Sequence, residues 1–314
     1  MITANKKISI LSVNISKKKA SIKYPAAKIV LNKKGIKNDA HSGAWHGQVS
    51  LLSKESIDKF SKKINRKIQN GEFAENITIS GIDIRKTSIG DVFQTKDVKL
   101  ELIQKGKKCH GDTCAIFHKA SSCIMLKQGI FCRVISGGEL KAGDVLEYFP
   151  NTIKTKIITL SDRAFNKQYK DKSGIKIENM LKKYFNLSHW SIETERILIP
   201  DNAKKLRTLL LSTIDSKRRI VITTGGTGIG KKDITPDVIK PMLEKEIPGI
   251  MEHIRLKYCE KIPSALLSRS IAGTINNTLI YTLPGSLKAV KEYMTEILKT
   301  LEHCLYTIAD IDIH

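Results

Sequence analysis

The sequence predicts two domains: a β-rich, barrel-like first half and an α/β second half with a mostly parallel sheet flanked by helices. Short β-rich runs with glycine turns fill the first half, and strands alternate with helical patterns in the second. A length of 314 residues suits two domains that each bury a core. We place the boundary at Tyr148-Phe149-Pro150-Asn151, which gives domains of 1–150 and 151–314.

In the first half, glycine-containing turns such as Ser136-Gly137-Gly138 separate short runs of apolar and β-branched residues. This pattern predicts a β-barrel or a sandwich. One helix is predicted over 53–64. The predicted strands are 8–15, 28–31, 48–52, 76–79, 97–102, 131–135 and 145–148.

In the second half, strand patterns alternate with helix patterns. Apolar residues at 177, 180, 181, 184 and 185 have the spacing of one helix face. Such alternation predicts a parallel sheet with helices on both faces. The predicted strands are 156–160, 191–199, 219–224 and 279–283, and the predicted helices are 174–185, 202–214, 286–305 and one that starts at 238–243.

Polar segments follow four of these strands directly, at 161–163, 200–201, 225–230 and 284–286. Open α/β sheets bind their ligands at the carboxyl ends of the parallel strands. We therefore expect the four loops to converge on one edge of the sheet and to form a ligand site there.

The loop after the strand at 219–224 holds four glycines within residues 225–230. Glycine lets the chain turn sharply and lets backbone N–H groups approach a phosphate without interference from a Cβ atom. Lys231, Lys232 and Asp233 follow at once. The loop thus predicts a phosphate site with cations and a carboxylate for a metal ion.

Two known phosphate motifs nearly match this loop. A Walker A loop requires Ser or Thr where Lys232 stands, and the dinucleotide fingerprint requires a further glycine two residues beyond Gly230. Pro236 suits the first turn of a helix, with Thr235 as its N-cap. A plain glycine-rich turn with solvated lysines is the structural alternative.

The composition, 41% hydrophobic and 27% charged, is that of a globular protein. The net charge of +23 comes mainly from lysines scattered along the chain, aromatic residues make up only 6%, and no nucleic-acid-binding motif occurs. Anionic phosphorylated substrates are therefore favoured over nucleic acid as partners. No apolar run approaches the roughly 18 residues that span a membrane, and no signal peptide is evident, so we expect a cytoplasmic protein without membrane contact.

Six cysteines occur, and no disulfide framework is expected in a long chain without a secretion signal. Three lysines within 105–108 and His110 favour a thiol of lowered pKa at Cys109 or Cys114. Zinc binding by Cys109, His110, Cys114 and His118 is an alternative, although the spacing departs from usual ligand pairs. The cysteines expected to be buried and inert are Cys123, Cys132, Cys259 and Cys304.

The second half resembles the molybdopterin adenylyltransferase family over about residues 154–314. Six motifs occur in the order that the family uses, and the segment 263–269 also matches. The motifs are Ser161-Asp162-Arg163-Ala164, Asp171-Lys172-Ser173-Gly174, Ile199-Pro200-Asp201, Thr223-Thr224-Gly225-Gly226-Thr227-Gly228, Asp233-Ile234-Thr235-Pro236-Asp237 and Leu283-Pro284-Gly285-Ser286.

This resemblance implies Mg-ATP-dependent adenylylation of molybdopterin, with release of pyrophosphate ahead of molybdate insertion. The implied partners are molybdopterin, ATP and the molybdenum-insertion machinery, and the trimers of the family imply a homotrimer. Metal and cation positioning carries most of such catalysis, because charge develops on the leaving pyrophosphate. Two rivals stay open: a nucleotide pyrophosphatase of the same fold, and a carrier that binds molybdopterin without turnover.

The catalytic carboxylates of the family fall on Asp201 and Asp233. We assign Asp233 to Mg²⁺ and Asp201 to the metal or to substrate orientation; the structural alternatives are a helix N-cap for Asp201 and a loop turn for Asp233. The family carries arginine where Lys232 stands and often proline where Leu287 stands. The residues expected to bind cofactor or substrate are Ser161, Asp162, Arg163, Gly225, Gly226, Thr227, Gly228, Lys232, Thr235, Pro236, Asp237, Pro284, Gly285 and Ser286.

The first half resembles a MOSC domain over about residues 8–148. That family is typified by a cysteine proposed to carry sulfur or to contact the metal cofactor, and of Cys109 and Cys114 we favour Cys114. Asp39, His41 and His46 are candidates for a ligand pocket, with ordinary loop residues as the alternative, and pyridoxal phosphate binding stays open. The matching runs are 35–43, 45–52, 71–78 and 106–114.

Overall fold

The computed structural model describes residues 6–19, 21–43, 47–106, 123–188, 190–215 and 219–309. The chain divides into two units, Met1–Asn151 and Thr152–His314, and each has its own buried apolar residues. Within the described ranges, no helix is long and apolar enough to cross a membrane.

The first unit contains a closed barrel of seven strands. The strands of this unit, within and outside the barrel, are β1 (Lys6–Ile15), β2 (Tyr24–Ala26), β3 (Ile29–Asn32), β4 (Gly35–Ile36), β5 (Val49–Ser53), β6 (Ile77–Ser80), β7 (Val92–Gln94), β8 (Lys99–Lys105), β9 (Ile130–Ser136), β10 (Glu139–Leu140) and β11 (Val145–Phe149). Around the barrel the order is β1-β11-β7-β8-β9-β5-β6, and β6 pairs again with β1. Closure leaves these seven strands with few free edges.

The barrel interior is filled by alternate residues of its strands. In β1, for example, Ile8 and Ile10 are buried while their neighbours are exposed. Among the described residues of this unit, two segments are α-helices, α1 (Lys54–Lys63) and α2 (Met125–Gln128). The Ser53 hydroxyl caps α1. The barrel-like first half predicted from the sequence is confirmed.

The second unit is a six-stranded sheet with helices. Its strands are β12 (Thr152–Leu160), β13 (Ser191–Ile199), β14 (Ile220–Thr224), β15 (Lys245–Glu246), β16 (Ala272–Ile275) and β17 (Thr278–Leu283), in the order β13-β12-β14-β17-β16-β15. The first four strands in this order are parallel, whereas β16 and β15 extend the sheet antiparallel. Its helices are α3 (Asp162–Phe165), α4 (Lys172–Leu187), α5 (Ala203–Asp215), α6 (Thr235–Ile239), α7 (Pro248–Cys259) and α8 (Leu287–Thr307).

The inner parallel strands β12, β14 and β17 are mostly buried, whereas the edge strand β13 is mostly half-buried and alternates apolar with charged or polar residues. On one face, Ile158 of β12 and Val221 of β14 pack with Leu206 and Leu210 of α5 and Ile239 of α6. Helices α4 and α8 pack against one another and against β12, β13 and β17. This arrangement brings the carboxyl ends of four neighbouring parallel strands to one edge.

Several local predictions in the second half need correction. The helix expected over 238–243 is α6, which starts at Thr235 and passes into a 3₁₀ turn over Lys240–Met242, since Pro241 has no N–H to continue an α-helix. Thr235 is therefore not the N-cap but the first residue of α6. The helix after Asp201 starts at Ala203, and the Asn202 side chain accepts the Lys205 N–H at 2.9 Å, so Asp201 is not its cap.

Candidate functional site

A cavity of about 980 Å³ opens at the carboxyl edge of the parallel strands. The loops that follow β12, β13, β14 and β17 all contribute to its wall, as the strand pattern predicts. The candidate residues that line it are Ser161, Asp162, Arg163, Asp201, Gly225, Gly226, Thr227, Gly228, Lys232, Asp233, Pro284, Gly285 and Ser286.

The glycine loop lies against the ends of two neighbouring strands. Gly225 has a φ of 101° and its N–H donates to Leu283 O at 2.9 Å. A Cβ atom at Gly225 would lie 2.2 Å from Leu160 O, so no other residue fits there. Thr235 fixes the start of the loop by two hydrogen bonds. Its hydroxyl donates to Gly225 O at 2.8 Å, and its backbone N–H donates to Gly226 O at 2.9 Å.

Three consecutive backbone N–H groups of this loop, at Gly226, Thr227 and Gly228, donate to no acceptor among the described residues. All three residues line the cavity. Backbone donors left open in a glycine loop form a concavity that suits an anion. The loop therefore meets the main physical requirement of a phosphate site.

Asp162 joins the loops after β12 and β13. Its N–H donates to Asp201 Oδ2 and its Oδ1 accepts the Asp201 N–H, both at 3.1 Å. Its Oδ2 accepts Lys232 Nζ at 2.6 Å. The hydrogen bond from Lys232 holds the pKa of Asp162 below its usual range, and Asp162 in turn raises the pKa of Lys232. Asp162 thereby orients one acid and one cation of the cavity.

Asp233 closes a tight turn at the end of the glycine loop. Its Oδ2 accepts the Gly230 N–H at 2.8 Å, and its own N–H donates to Gly230 O at 2.9 Å. Asp233 and Asp201 thus share one arrangement: a backbone N–H fixes one carboxylate oxygen of each. Their other oxygens accept no hydrogen bond from any described residue.

The cavity wall also contains residues that the sequence analysis did not single out. The Tyr169 hydroxyl lies 2.8 Å from Ser161 Oγ, and the Arg163 guanidinium lies 5.6 Å from the centre of its ring. Lys288 and Glu292 lie one turn apart near the start of α8, where the helix that follows Pro284-Gly285-Ser286 could have indicated them. Tyr258 and Tyr293 come from α7 and α8, and only the tertiary fold brings them to the cavity.

Three candidate residues lie elsewhere. Thr235 is fully buried beneath the glycine loop. Pro236 and Asp237 line a second cavity of about 630 Å³, where Asp237 forms an ion pair with Arg269. Thr235 supports the loop directly from outside the main cavity, and Asp237 does so through Arg269.

In the barrel, Asp39 lies in a buried polar cluster. Its carboxylate accepts Lys23 Nζ at 2.5 Å and the His41 N–H at 3.0 Å, and both Lys23 and Asp39 have almost fully buried side chains. Burial alone would raise the pKa of Asp39, but the hydrogen bonds from His41 and Lys23 outweigh it and hold the pKa below its usual range. Asn76 donates to the same carboxylate. The cluster ties the segment around His41 to the barrel.

The cysteines divide into three pairs. Cys109, Cys114 and their neighbours His110 and His118 lie outside the described residues, as does His46. Cys123 and Cys132 are buried, as expected, and burial raises the pKa of Cys132 strongly. Cys259 and Cys304 are only half-buried, because they lie on the outer turns of α7 and α8.

Family models match both halves of the chain. Residues 156–303 match a probable molybdopterin binding domain, and residues 38–147 match the MOSC domain. Molybdenum cofactor biosynthesis protein B of Staphylococcus aureus (strain COL) is 38% identical over 165 residues, which cover 50% of this chain and 92% of that protein. The chain belongs to the molybdenum cofactor biosynthesis family. Its first half carries a MOSC domain in addition.

Two further relatives show how the family domain occurs elsewhere. The molybdopterin adenylyltransferase of Helicobacter pylori (strain J99) is 33% identical over 155 residues, 49% of this chain and 86% of that protein. The molybdenum cofactor synthesis protein cinnamon of Drosophila melanogaster is 35% identical over 157 residues, 49% of this chain. The chain spans only 25% of the length of cinnamon.

Proposed function

We propose that the second half of the chain transfers the adenylyl group of Mg-ATP to the terminal phosphate of molybdopterin. A phosphate oxygen of the pterin forms a bond to the α-phosphorus of ATP, the bond to the bridging oxygen breaks, and pyrophosphate leaves with its electron pair. The products are adenylylated molybdopterin and pyrophosphate. The relative named molybdopterin adenylyltransferase supports this reaction.

The observation that carries the proposal is the glycine loop with its three open N–H groups at the edge of a cavity that also contains Asp162, Asp201, Asp233 and Lys232. In phosphoryl transfer, positioning and charge stabilisation account for nearly all of the catalysis. The open N–H groups hold phosphate oxygens, and Lys232, oriented by Asp162, neutralises charge that develops on the leaving group.

The acids of this cavity fit a magnesium ion. Among the described residues no group of three or more acidic, histidine or cysteine side chains forms a complete metal cage. Mg²⁺ rarely uses such cages, and it is usually held by one or two carboxylates, waters and substrate phosphates. In Asp201 and Asp233, one carboxylate oxygen accepts no hydrogen bond from a described residue, and these two oxygens offer such a partial set of metal ligands. When bound, the metal would neutralise phosphate charge, while the protein fixes the carboxylates that hold it.

The cavity volume of about 980 Å³ supports two substrates bound together. The tyrosines Tyr169, Tyr258 and Tyr293 in its wall provide flat apolar surface for an aromatic ring system such as adenine or a pterin. We propose molybdopterin and ATP as those two substrates, and the molybdenum-insertion machinery as the partner that receives the product.

The MOSC half is proposed to handle the cofactor or sulfur through Cys114 or Cys109. The support for this role is the match to the MOSC domain over 38–147, which includes both cysteines.

The test is to incubate the full chain with ATP, Mg²⁺ and molybdopterin and to separate the products by mass. We expect adenylylated pterin and pyrophosphate in equal amounts, and neither product without Mg²⁺. Release of AMP from ATP alone would favour the pyrophosphatase, and pterin binding without any product would favour the carrier. Either of those results overturns the proposal.

A further inference from the structure

One basic side chain outside the main cavity holds the glycine loop in shape. Arg269 Nε donates to Gly228 O at 2.7 Å, and Arg269 Nη2 donates to Asp233 O at 2.5 Å. The backbone N–H of Arg269 also donates to the backbone oxygen of Thr227, at 2.8 Å. Arg269 therefore contacts the first two residues and the last residue of the segment 227–233.

The same guanidinium is anchored on the far side by Asp237, in the first turn of α6. Nη1 donates to Oδ1 at 2.7 Å and Nη2 donates to Oδ2 at 3.0 Å, which is the two-pronged pairing that arginine makes with carboxylates. The ion pair holds the pKa of Asp237 below its usual range. Arg269 thus joins the loop to the helix that follows it.

Arg269 does not touch the substrate cavity. Gly228 and Asp233 line the main cavity, whereas Arg269 and Asp237 line the second one, behind the loop. The Arg269 side chain therefore bears on the main cavity through the two loop residues that it bonds, Gly228 and above all Asp233.

We propose that Arg269 is a positioning residue that sets the geometry of Asp233 and of the open loop N–H groups for Mg²⁺ and nucleotide phosphates. The inference rests on the proposed function of the main cavity. It gives a role to the segment 263–269, which the loop motifs alone left unexplained.

The physical reason is the entropy of the loop. Glycines at 225, 226, 228 and 230 leave the backbone many alternative conformations, and the two donors of Arg269 remove most of them. Pairs between exposed charges contribute little to global stability, so loss of Arg269 should loosen the loop without unfolding the domain. A displacement of about 1 Å of a positioned group is enough to cost on the order of 10²-fold in rate.

The experiment compares Arg269→Ala and Arg269→Lys with a control, Lys240→Ala. Lys240 is a second cation of the same second cavity, where it pairs with Glu246. Unlike Arg269, Lys240 donates no hydrogen bond to the glycine loop among the residues that the structure describes. Each variant is measured for hydrogen exchange of the peptide 226–234, for the Mg²⁺ concentration that half-saturates ATP binding, and for adenylylation.

For Arg269→Ala we expect faster exchange in 226–234, a half-saturating Mg²⁺ concentration raised about 10-fold, and turnover lowered on the order of 10²-fold. Arg269→Lys keeps the positive charge but cannot make the two-pronged hydrogen bonds of a guanidinium. We therefore expect its exchange rate, Mg²⁺ dependence and turnover to lie between those of the parent and of Arg269→Ala. Lys240→Ala should stay within about threefold of the parent in all three measurements. The thermal melting of each variant checks that the domain stays folded.

Parent-like exchange and Mg²⁺ dependence in Arg269→Ala would overturn the positioning role, as would equal effects of Lys240→Ala. If the parent makes no adenylylated pterin, the proposed function fails by itself. The positioning role is then decided by exchange and by Mg²⁺-dependent ATP binding, which need no turnover.

Discussion

At the scale of single residues, Asp162 shows how an exposed ion pair can matter without stabilising the fold. Its carboxylate bonds both the Asp201 N–H and Lys232 Nζ, although the Lys232 side chain is 77% exposed. Exposed pairs of this kind contribute little free energy of folding. Their value here is orientation, since the pair aims a long, flexible cation at the cavity.

Asp233→Asn tests the proposed metal ligand with the loop geometry preserved. The amide oxygen of asparagine can still accept the Gly230 N–H, so only the negative charge is lost. We expect a folded protein whose turnover falls by about 10²-fold or more, as loss of a charge-stabilising group usually causes. Adenylylation kinetics over a range of Mg²⁺ concentrations make the measurement.

Asp144→Asn provides the control for that variant. Asp144 Oδ2 accepts the Lys141 N–H at 2.9 Å in a barrel turn, which is the same three-residue arrangement as Asp233 with Gly230. We expect the Asp144→Asn variant to adenylylate molybdopterin at the rate of the parent. If Asp233→Asn keeps turnover within about threefold of the parent, Asp233 is only a turn residue.

At the scale of elements, α7 is held to α8 by one buried carboxylate. The Glu296 side chain on α8 is 3% exposed and accepts hydrogen bonds from His253 and Lys257 on α7 and from Lys299 on α8. Burial alone would raise the pKa of Glu296, but the hydrogen bonds from Lys257, Lys299 and His253 outweigh it and lower the pKa to about 2. Because α7 brings Tyr258 to the cavity, this contact also shapes the cavity wall.

Glu296→Gln should therefore reduce stability in a pH-dependent way. The pKa of Glu296 is lower in the folded state than the ordinary value of 4.5, so its stabilisation is complete above about pH 4.5 and is lost as the pH falls towards 2. We expect the variant to lose about 1 kcal/mol of unfolding free energy at pH 7, since the cations are exposed. Urea unfolding at several pH values tests this, and a difference from the parent that stays constant down to pH 2.5 contradicts it.

The elements that the sequence predicted well are those with a strong local pattern. β14 is a run of β-branched residues, and α8 has a clear apolar stripe after the Ser286 cap. β15 could not be predicted, because Lys245–Glu246 is a charged pair that becomes a strand only by bonding to β16. Local patterns also miss α7, whose apolar residues do not form one distinct stripe.

For the site, the sequence indicated the four loops but not how they are held. Asp201, Asp233 and Lys232 follow strands, so their place at the carboxyl edge follows from the parallel sheet. The contact of Arg269 with Gly228 joins residues 41 positions apart, and no local pattern reports such a contact. The chemical roles assigned to Asp201, Asp233 and Lys232 remain predictions.

At the scale of the whole molecule, we predict that the two units carry separate activities, so that a substitution in one unit leaves the activity of the other unchanged. Cys114 belongs to the MOSC half and the acids of the main cavity to the other half. Cys114→Ser should therefore leave adenylylation unchanged while it abolishes sulfur or cofactor binding by the MOSC half. Mass-resolved iodoacetamide labelling near neutral pH should find Cys114 modified first.

Two outcomes would change that view. If Cys109 reacts before Cys114, the sulfur-carrying role moves to Cys109. If Cys114→Ser stops adenylylation in a protein that still melts as the parent does, the two halves do not work independently.

The assembly is predicted to be a homotrimer, in which each chain presents two different surfaces that close a ring. Large apolar side chains such as Leu187 and Leu256 are exposed in the single chain of the second unit, and contact between chains would cover such surface. Light scattering at micromolar concentration should give a mass near three times the chain mass of 35.1 kDa. A monomer at that concentration rules the trimer out.

The contact of Gly225 with the end of β12 limits what random mutagenesis of this chain can return. Every amino-acid substitution at this position places a Cβ atom 2.2 Å from the backbone oxygen of Leu160, the last residue of β12. Selection of a saturation library for a folded second unit should therefore recover glycine alone at 225, even under conditions in which the enzyme is not needed. Gly249, which has open space around it, should accept many residues in the same library. Such a library would separate the glycines that the architecture demands from those that only the substrate demands.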